Sequence, residues 1–220
     1  MGSWLLLQLA DAAFPTGGFA HSAGLEAAAQ LGEIDGAAGL RAFAEEALWQ
    51  AGFTGLPFVR ASHEAPGRVG EHDALCHACL SSHVQSRASR TQGRAFVATT
   101  ARVFPLPEIA ALDEQVRGRR LRGHLGPLQG AALRALGVGV EDAQRLYLHQ
   151  ALRGVGSAAV RLGLSGPHEA QRLQHALGPL AERVLSTCGE LPLSAVAQPA
   201  PLLDLFGSLH DRLYARLFQS

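Results

Sequence analysis

The stretch Asp35–Gln50, DGAAGLRAFAEEALWQ, decides the fold class. Leu40, Phe43, Ala47 and Leu48 fall on one stripe at helical spacing, and Glu45 and Glu46 fall outside it. The same period recurs in both directions along the chain, and two-residue alternation is almost absent. Ala, Leu and Gly dominate the 47% hydrophobic content, aromatic residues are only 6%, and Ala and Leu are the strongest helix formers. These features predict an all-α, single-domain helical bundle of about ten helices spanning residues 1–220.

Punctuation divides the helices. The first is expected over Ser3–Ala13, stopping before Pro15, and the second over Ser22–Gly32, with Ser22 as its N-cap. The third starts near Asp35, and Pro57 starts or bends another helix. Glu64–Gly70 reads as a loop, followed by helices at about 71–84 and 86–103. Arg117–Gly130 reads as the most loop-like interior stretch, with long helices returning at about 141–163 and 168–187. Pro192, Pro199 and Pro201 mark a spacer (about 189–202) before a final helix at about 203–218. On that helix Leu202, Phe206, Leu209, Leu213 and Leu217 form an apolar stripe, widened by Tyr214 and Phe218.

Charge narrows the chemistry. The formal net charge is zero, but residues 87–134 hold nine Arg against three acidic residues. All 19 basic residues are Arg. With no lysine, Schiff-base chemistry and a Walker A phosphate loop are excluded. Arg117, Arg119, Arg120 and Arg122 lack interleaved aromatics, so a solvated loop is expected and no nucleic-acid partner. Three cysteines make no disulfide framework, and WLLLQLA is too short to span a bilayer. A cytoplasmic protein with no membrane association is expected.

One constellation looks like a metal site. His72, Cys76, Cys79 and His83 follow i, i+4, i+7, i+11 spacing and would share one helix face. The ends of that face lie ~16 Å apart along the axis, too far for one zinc. At most Cys76, Cys79 and one histidine share an ion, so metal-binding or redox chemistry on this face is the alternative reading. Filling of the core is expected first, with no cofactor and no metal ligand assigned.

Several motifs carry a resemblance in order along the chain: LQLADAAFPTGGFAHSAGLE (Leu7–Glu26), SRTQGRAF (Ser89–Phe96), LRGVGSAAVRLGLSGPHEAQRLQ (Leu152–Gln174) and SLHDRLYARLFQS (Ser208–Ser220). Together they resemble the urease accessory protein UreF family, with little contribution from residues about 55–80 and 105–140. The resemblance implies a helical, non-catalytic maturation factor that works as a homodimer. Its implied partners are a UreG-type GTPase, a UreD/UreH-type accessory protein and apo-urease, to which nickel is delivered. Catalytic and cofactor-binding residues are accordingly expected to be none. The resemblance places partner contacts on Pro15, Gly17, Gly18, Phe19, His21, Ser22, Glu26, Arg90, Gln92, Arg153, His210, Asp211, Arg212, Tyr214, Arg216 and Phe218.

Overall fold

The computed structural model describes residues 3–219 as eleven α-helices and four short 3-10 turns, with no strand among the described residues. The helices are α1 (Ser3–Ala10), α2 (Leu25–Gln30), α3 (Gly36–Glu64), α4 (Val69–Cys79), α5 (His83–Val103) and α6 (Pro107–Arg117). They continue as α7 (Leu125–Ala135), α8 (Val140–Arg161), α9 (Pro167–Ala176), α10 (Gly178–Cys188) and α11 (Pro201–Leu209). The all-α expectation holds.

The stripe read from Asp35–Gln50 is the buried edge of α3, with Leu40, Phe43 and Leu48 in the core. The helix runs far beyond it, straight through Pro57. A proline has no N–H to give the carbonyl four residues back. That carbonyl, on Phe53, instead accepts from Ala197 N at 3.4 Å, so the spacer after α10 repairs the gap in α3.

α3 packs on α7 and α8, and α5 covers α7 on the other side. The α3–α7 contact is close because Gly130 meets the Val59 carbonyl, where any Cβ would collide with backbone. Two hydrophobic cores result. One gathers Leu25, Leu40, Phe43, Leu48, Leu152, Leu177, Val184 and Phe218, and the other gathers Leu9, Phe14, Phe96, Ile109, Leu128, Leu133 and Leu146. α3 and α8 thread both and tie them into one body. Fully burying each large apolar side chain contributes about 1.5–3 kcal/mol, so both cores hold the helices in register.

Several boundaries differ from the sequence expectations. α1 stops at Ala10, and α2 is capped by Gly24 instead of Ser22. The segment read as one helix over 168–187 breaks at Leu177–Gly178, because Pro179 cannot continue the ladder from α9. The loop expected over Arg117–Gly130 shrinks, since α7 already starts at Leu125. Its start is fixed from far away: the Asp73 carboxylate on α4 accepts the backbone N–H groups of Gly123 (3.1 Å) and His124 (2.7 Å), and that of Arg122 beside them. The final helix expected to reach 218 ends at Leu209. A 3-10 turn (His210–Arg212) and a non-helical tail follow.

Candidate functional site

The chain leaves α1 through Asp11, whose Oδ1 accepts Ala13 N at 2.8 Å, and turns at Pro15. The Pro15 carbonyl accepts from Thr99 Oγ1 on α5 at 2.8 Å, and buried Phe14 packs 6.3 Å from Phe96. Gly17 sits at φ 74 and Gly24 at φ 92, both in the left-handed region that glycine reaches without steric cost. Gly24 has a second constraint, because a Cβ there would lie 3.0 Å from Gly207 N on α11. Between them the turn lifts Phe19 into solvent, 68% exposed.

The C-terminal tail folds back onto this turn. Glu26, at the start of α2, is 1% exposed and anchors it. One carboxylate oxygen accepts His210 Nε2 at 3.0 Å and Phe218 N at 3.3 Å, and the other accepts Leu217 N at 2.6 Å. Arg161 of α8 completes the clasp. Its guanidinium lies 4.0 Å from the ring centres of both Phe19 and Phe218, and it donates to the carbonyls of Phe19 (2.6 Å) and Leu217 (3.1 Å). Gln219 N reaches the Ala20 carbonyl at 2.8 Å, and Gln30 Nε2 the Ala215 carbonyl at 2.9 Å.

The fold sorts the sixteen residues on which the resemblance places partner contacts. Ser22, Glu26, His210 and Phe218 are buried within the clasp, and so is His21. They shape the surface from beneath, whereas Phe19, Arg212, Tyr214 and Arg216 face solvent. Leu217, exposed like Tyr214, extends the apolar surface beside them. Asp211 ties the tail to α5 through Arg87 (2.7 Å) and His83 (3.1 Å), with Arg216 at 3.6 Å. The Arg87 hydrogen bond holds the Asp211 carboxyl down at about 2. Burial, then Arg87 and His210, press His21 from 6.5 to about 4, so it is neutral at pH 7.

Beneath the turn lies a cavity of about 430 Å³ between the two cores. Pro15, Gly17, Gly18, Phe19, His21, Gln92 and Arg153, all nominated from sequence, line it. Its walls are three helix faces: Ala47, Gln50, Ala51, Thr54, Gly55 and Phe58 of α3; Val84, Gln85, Ala88, Ser89 and Gln92 of α5; and Tyr147, Gln150, Ala151, Arg153, Gly154 and Ser157 of α8. Arg90 lies one step off this wall and donates from Nε to the Ser86 carbonyl at 3.2 Å.

The Cys/His face does not persist as one surface. α4 ends at Cys79, so His83 begins a different helix and points to Asp211. His72 Nδ1 pairs with Ser62 Oγ at 2.9 Å. Cys76 is buried in the cavity wall, and burial pushes its thiol far above the ordinary value. Among the described residues no group of three or more His, Cys, Asp and Glu is arranged to hold a metal ion. No helix of the described residues is long and apolar enough to cross a membrane.

Sequence reasoning missed several organising groups. Arg161 stood inside a quoted motif, but nothing in its spacing distinguishes it from the other arginines. Nor does spacing single out His77 of α4 and His124 ahead of α7, whose ring nitrogens meet at 3.2 Å. Ser89 Oγ accepts Leu125 N and stands 3.2 Å from His124 Nδ1, continuing the chain. Burial, followed by His77, Arg90, Arg122 and Arg94, lowers His124 from 6.5 to about 3.

Known proteins resemble this chain along nearly its whole length. A family model described as UreF matches residues 34–178. The urease accessory protein F of Arabidopsis thaliana is 35% identical over 221 residues, covering 99% of this chain and 92% of that protein. The rice protein of the same name (Oryza sativa) is 35% identical over 219 residues, covering 98% of this chain and 84% of its own length. The urease accessory protein UreF of Cereibacter sphaeroides is 32% identical over 217 residues, with 98% and 97% coverage. Likeness at this level, from end to end and across plants and bacteria, shows that the chain belongs to the UreF family of urease accessory proteins.

Proposed function

We propose that this chain is a non-catalytic scaffold for urease maturation. As a homodimer it bridges a UreG-type GTPase and a UreD/UreH-type accessory protein, so that nickel reaches apo-urease in the cytoplasm. The observation that carries this reading is the union of the N-terminal turn and the C-terminal tail in one surface. Glu26 and Leu217 are 191 positions apart in sequence, yet they hydrogen-bond at 2.6 Å. Their junction presents Phe19, Tyr214 and Leu217 to solvent beside Arg212 and Arg216. Aromatic and arginine side chains clustered this way are the usual anchors of protein interfaces.

The absence of lysine supports the division of labour, because the phosphate-cradling side chain of a GTPase has to come from another chain. Among the described residues the Cys/His set does not gather into a metal cluster, which favours the scaffold over the metal-binding alternative.

Reconstitution tests the reading. The purified protein is mixed with its GTPase, the remaining accessory protein, apo-urease, nickel and bicarbonate, and urease activity is followed. Activity should depend on this chain and fall sharply with the double substitution Phe19→Ala, Tyr214→Ala, while the helical signal is retained. Activation that proceeds equally well without the chain overturns it.

A further inference from the structure

The cavity beneath the turn is built by the sequence and is larger than packing defects. Protein interiors seldom leave voids much larger than a water molecule, whereas small-molecule sites begin near 300 Å³. Here about 430 Å³ is kept open. It exists because facing positions are small: Ala47 and Ala51 recur along α3, and Ala151 and Gly154 along α8, whereas Gly55 is covered by the Tyr147 ring. A Cβ added at Gly154 would meet nothing within 4 Å.

Its two ends differ chemically. At the α1 end stands Arg153, half-buried, whose only hydrogen bond among the described residues goes to the Ala10 carbonyl. No carboxylate of the described residues lies within ion-pair distance of it. Burial presses its pKa below the ordinary arginine value, and the exposed Asp11 only partly opposes that effect. The cavity wall therefore carries a guanidinium that, among the described residues, makes no ion pair and gives one hydrogen bond to a carbonyl. Six residues further down α8, about 9 Å along the axis, Tyr147 marks the other end. The apolar lining includes Phe58, Val84 and Leu125, and Cys76, near Tyr147, is held as a neutral thiol.

We propose that this cavity is a binding site for a small amphiphilic anion, with a carboxylate or phosphate head on Arg153 and an apolar body reaching towards Phe58 and Tyr147. The inference concerns the isolated chain and stands apart from the assembly reading. A guanidinium supplies paired donors to a planar or tetrahedral oxyanion, and the apolar walls supply the remaining affinity by removing the body from water.

Calorimetry and histidine NMR on the full-length purified protein test it, using octanoate and octyl phosphate as probes. Octanamide serves as the uncharged control and acetate as the control without a body. Saturable one-to-one binding of octanoate or octyl phosphate is expected, with a shift of the His21 ring signals. Octanamide should bind at least tenfold more weakly and acetate not measurably. Arg153→Gln should erase that preference for the charged head while leaving octanamide binding unchanged. Gly154→Leu, which fills open space, should abolish binding of every probe at unchanged helical content. No saturable heat from either anionic probe, or binding unaffected by both substitutions, overturns the proposal. So does partition of the protein onto anionic vesicles without binding of the soluble probes. Because no partner protein is present, any of these failures leaves the assembly reading untouched.

Discussion

Replacing Glu26 by alanine should unfasten the tail before it unfolds the body. The carboxylate is 1% exposed and accepts from His210, Leu217 and Phe218. Hydrogen bonds to a charged group contribute about 1.5–3 kcal/mol each. Removing the shared acceptor leaves each buried donor unsatisfied, at about 1–3 kcal/mol apiece. The three bonds cannot simply be summed, since the tail can leave and let its N–H groups find water. Detachment also surrenders Phe218, 6% exposed, whose burial contributes about 1.5–3 kcal/mol. The expected loss for Glu26→Ala is therefore about 3–5 kcal/mol, a melting shift on the order of 10 °C for a chain of this size. Glu26→Gln, which keeps one acceptor oxygen, should fall between. Hydrogen exchange read by mass spectrometry should show residues 213–219 losing protection while α3, α7 and α8 keep theirs. Trypsin should cut first at Arg212 and Arg216. A variant with wild-type tail protection and an unchanged urea midpoint would refute the idea that Glu26 fastens the tail.

Three further outcomes follow from the geometry. His124 has its pKa lowered from 6.5 to about 3, so the unfolded chain binds the extra proton first. Stability is then full above about pH 6.5 and falls as pH drops towards 3, by up to ~1.4 kcal/mol per pH unit for this one group. His124→Asn should flatten that acid limb in urea titrations between pH 6.5 and 4, and an unchanged slope would count against it. Gly130→Ala should cost at least ~2 kcal/mol by chemical denaturation, because the new methyl runs into the Val59 carbonyl and α7 must move off α3. Arg161→Ala should cost about 1–3 kcal/mol from its two ring contacts and two carbonyl bonds. Combined with Phe19→Ala, its effect should be less than additive in a double-mutant cycle, since both remove one contact.

Local pattern revealed what is local. The stripe of Leu40, Phe43 and Leu48 is buried as its period requires, and the helical class needed nothing more. The misread boundaries each depend on a distant partner. The tail cannot remain helical to residue 218, because Leu217 N and Phe218 N are claimed by Glu26. α7 starts early because Asp73 takes the N–H groups ahead of it. Spacing along a single segment carries no trace of either bond. The nominated residues fared similarly. Resemblance picked out both ends of the clasp, but only the fold separates Glu26 and His210, which lie inside, from Phe19 and Tyr214, which stand outside.

Pro57 leaves α3 with an unmet acceptor, and Ala197 of the spacer meets it. The two positions are therefore complementary defects, each tolerable because of the other. Substituting alanine at 57 would supply the missing N–H to the Phe53 carbonyl and put it in competition with Ala197 N. That spacer leads directly into α11, which Gly24 allows to lie against the turn. A flaw in the longest helix thus becomes a leash, pinning the start of the C-terminal segment to the body at Phe53.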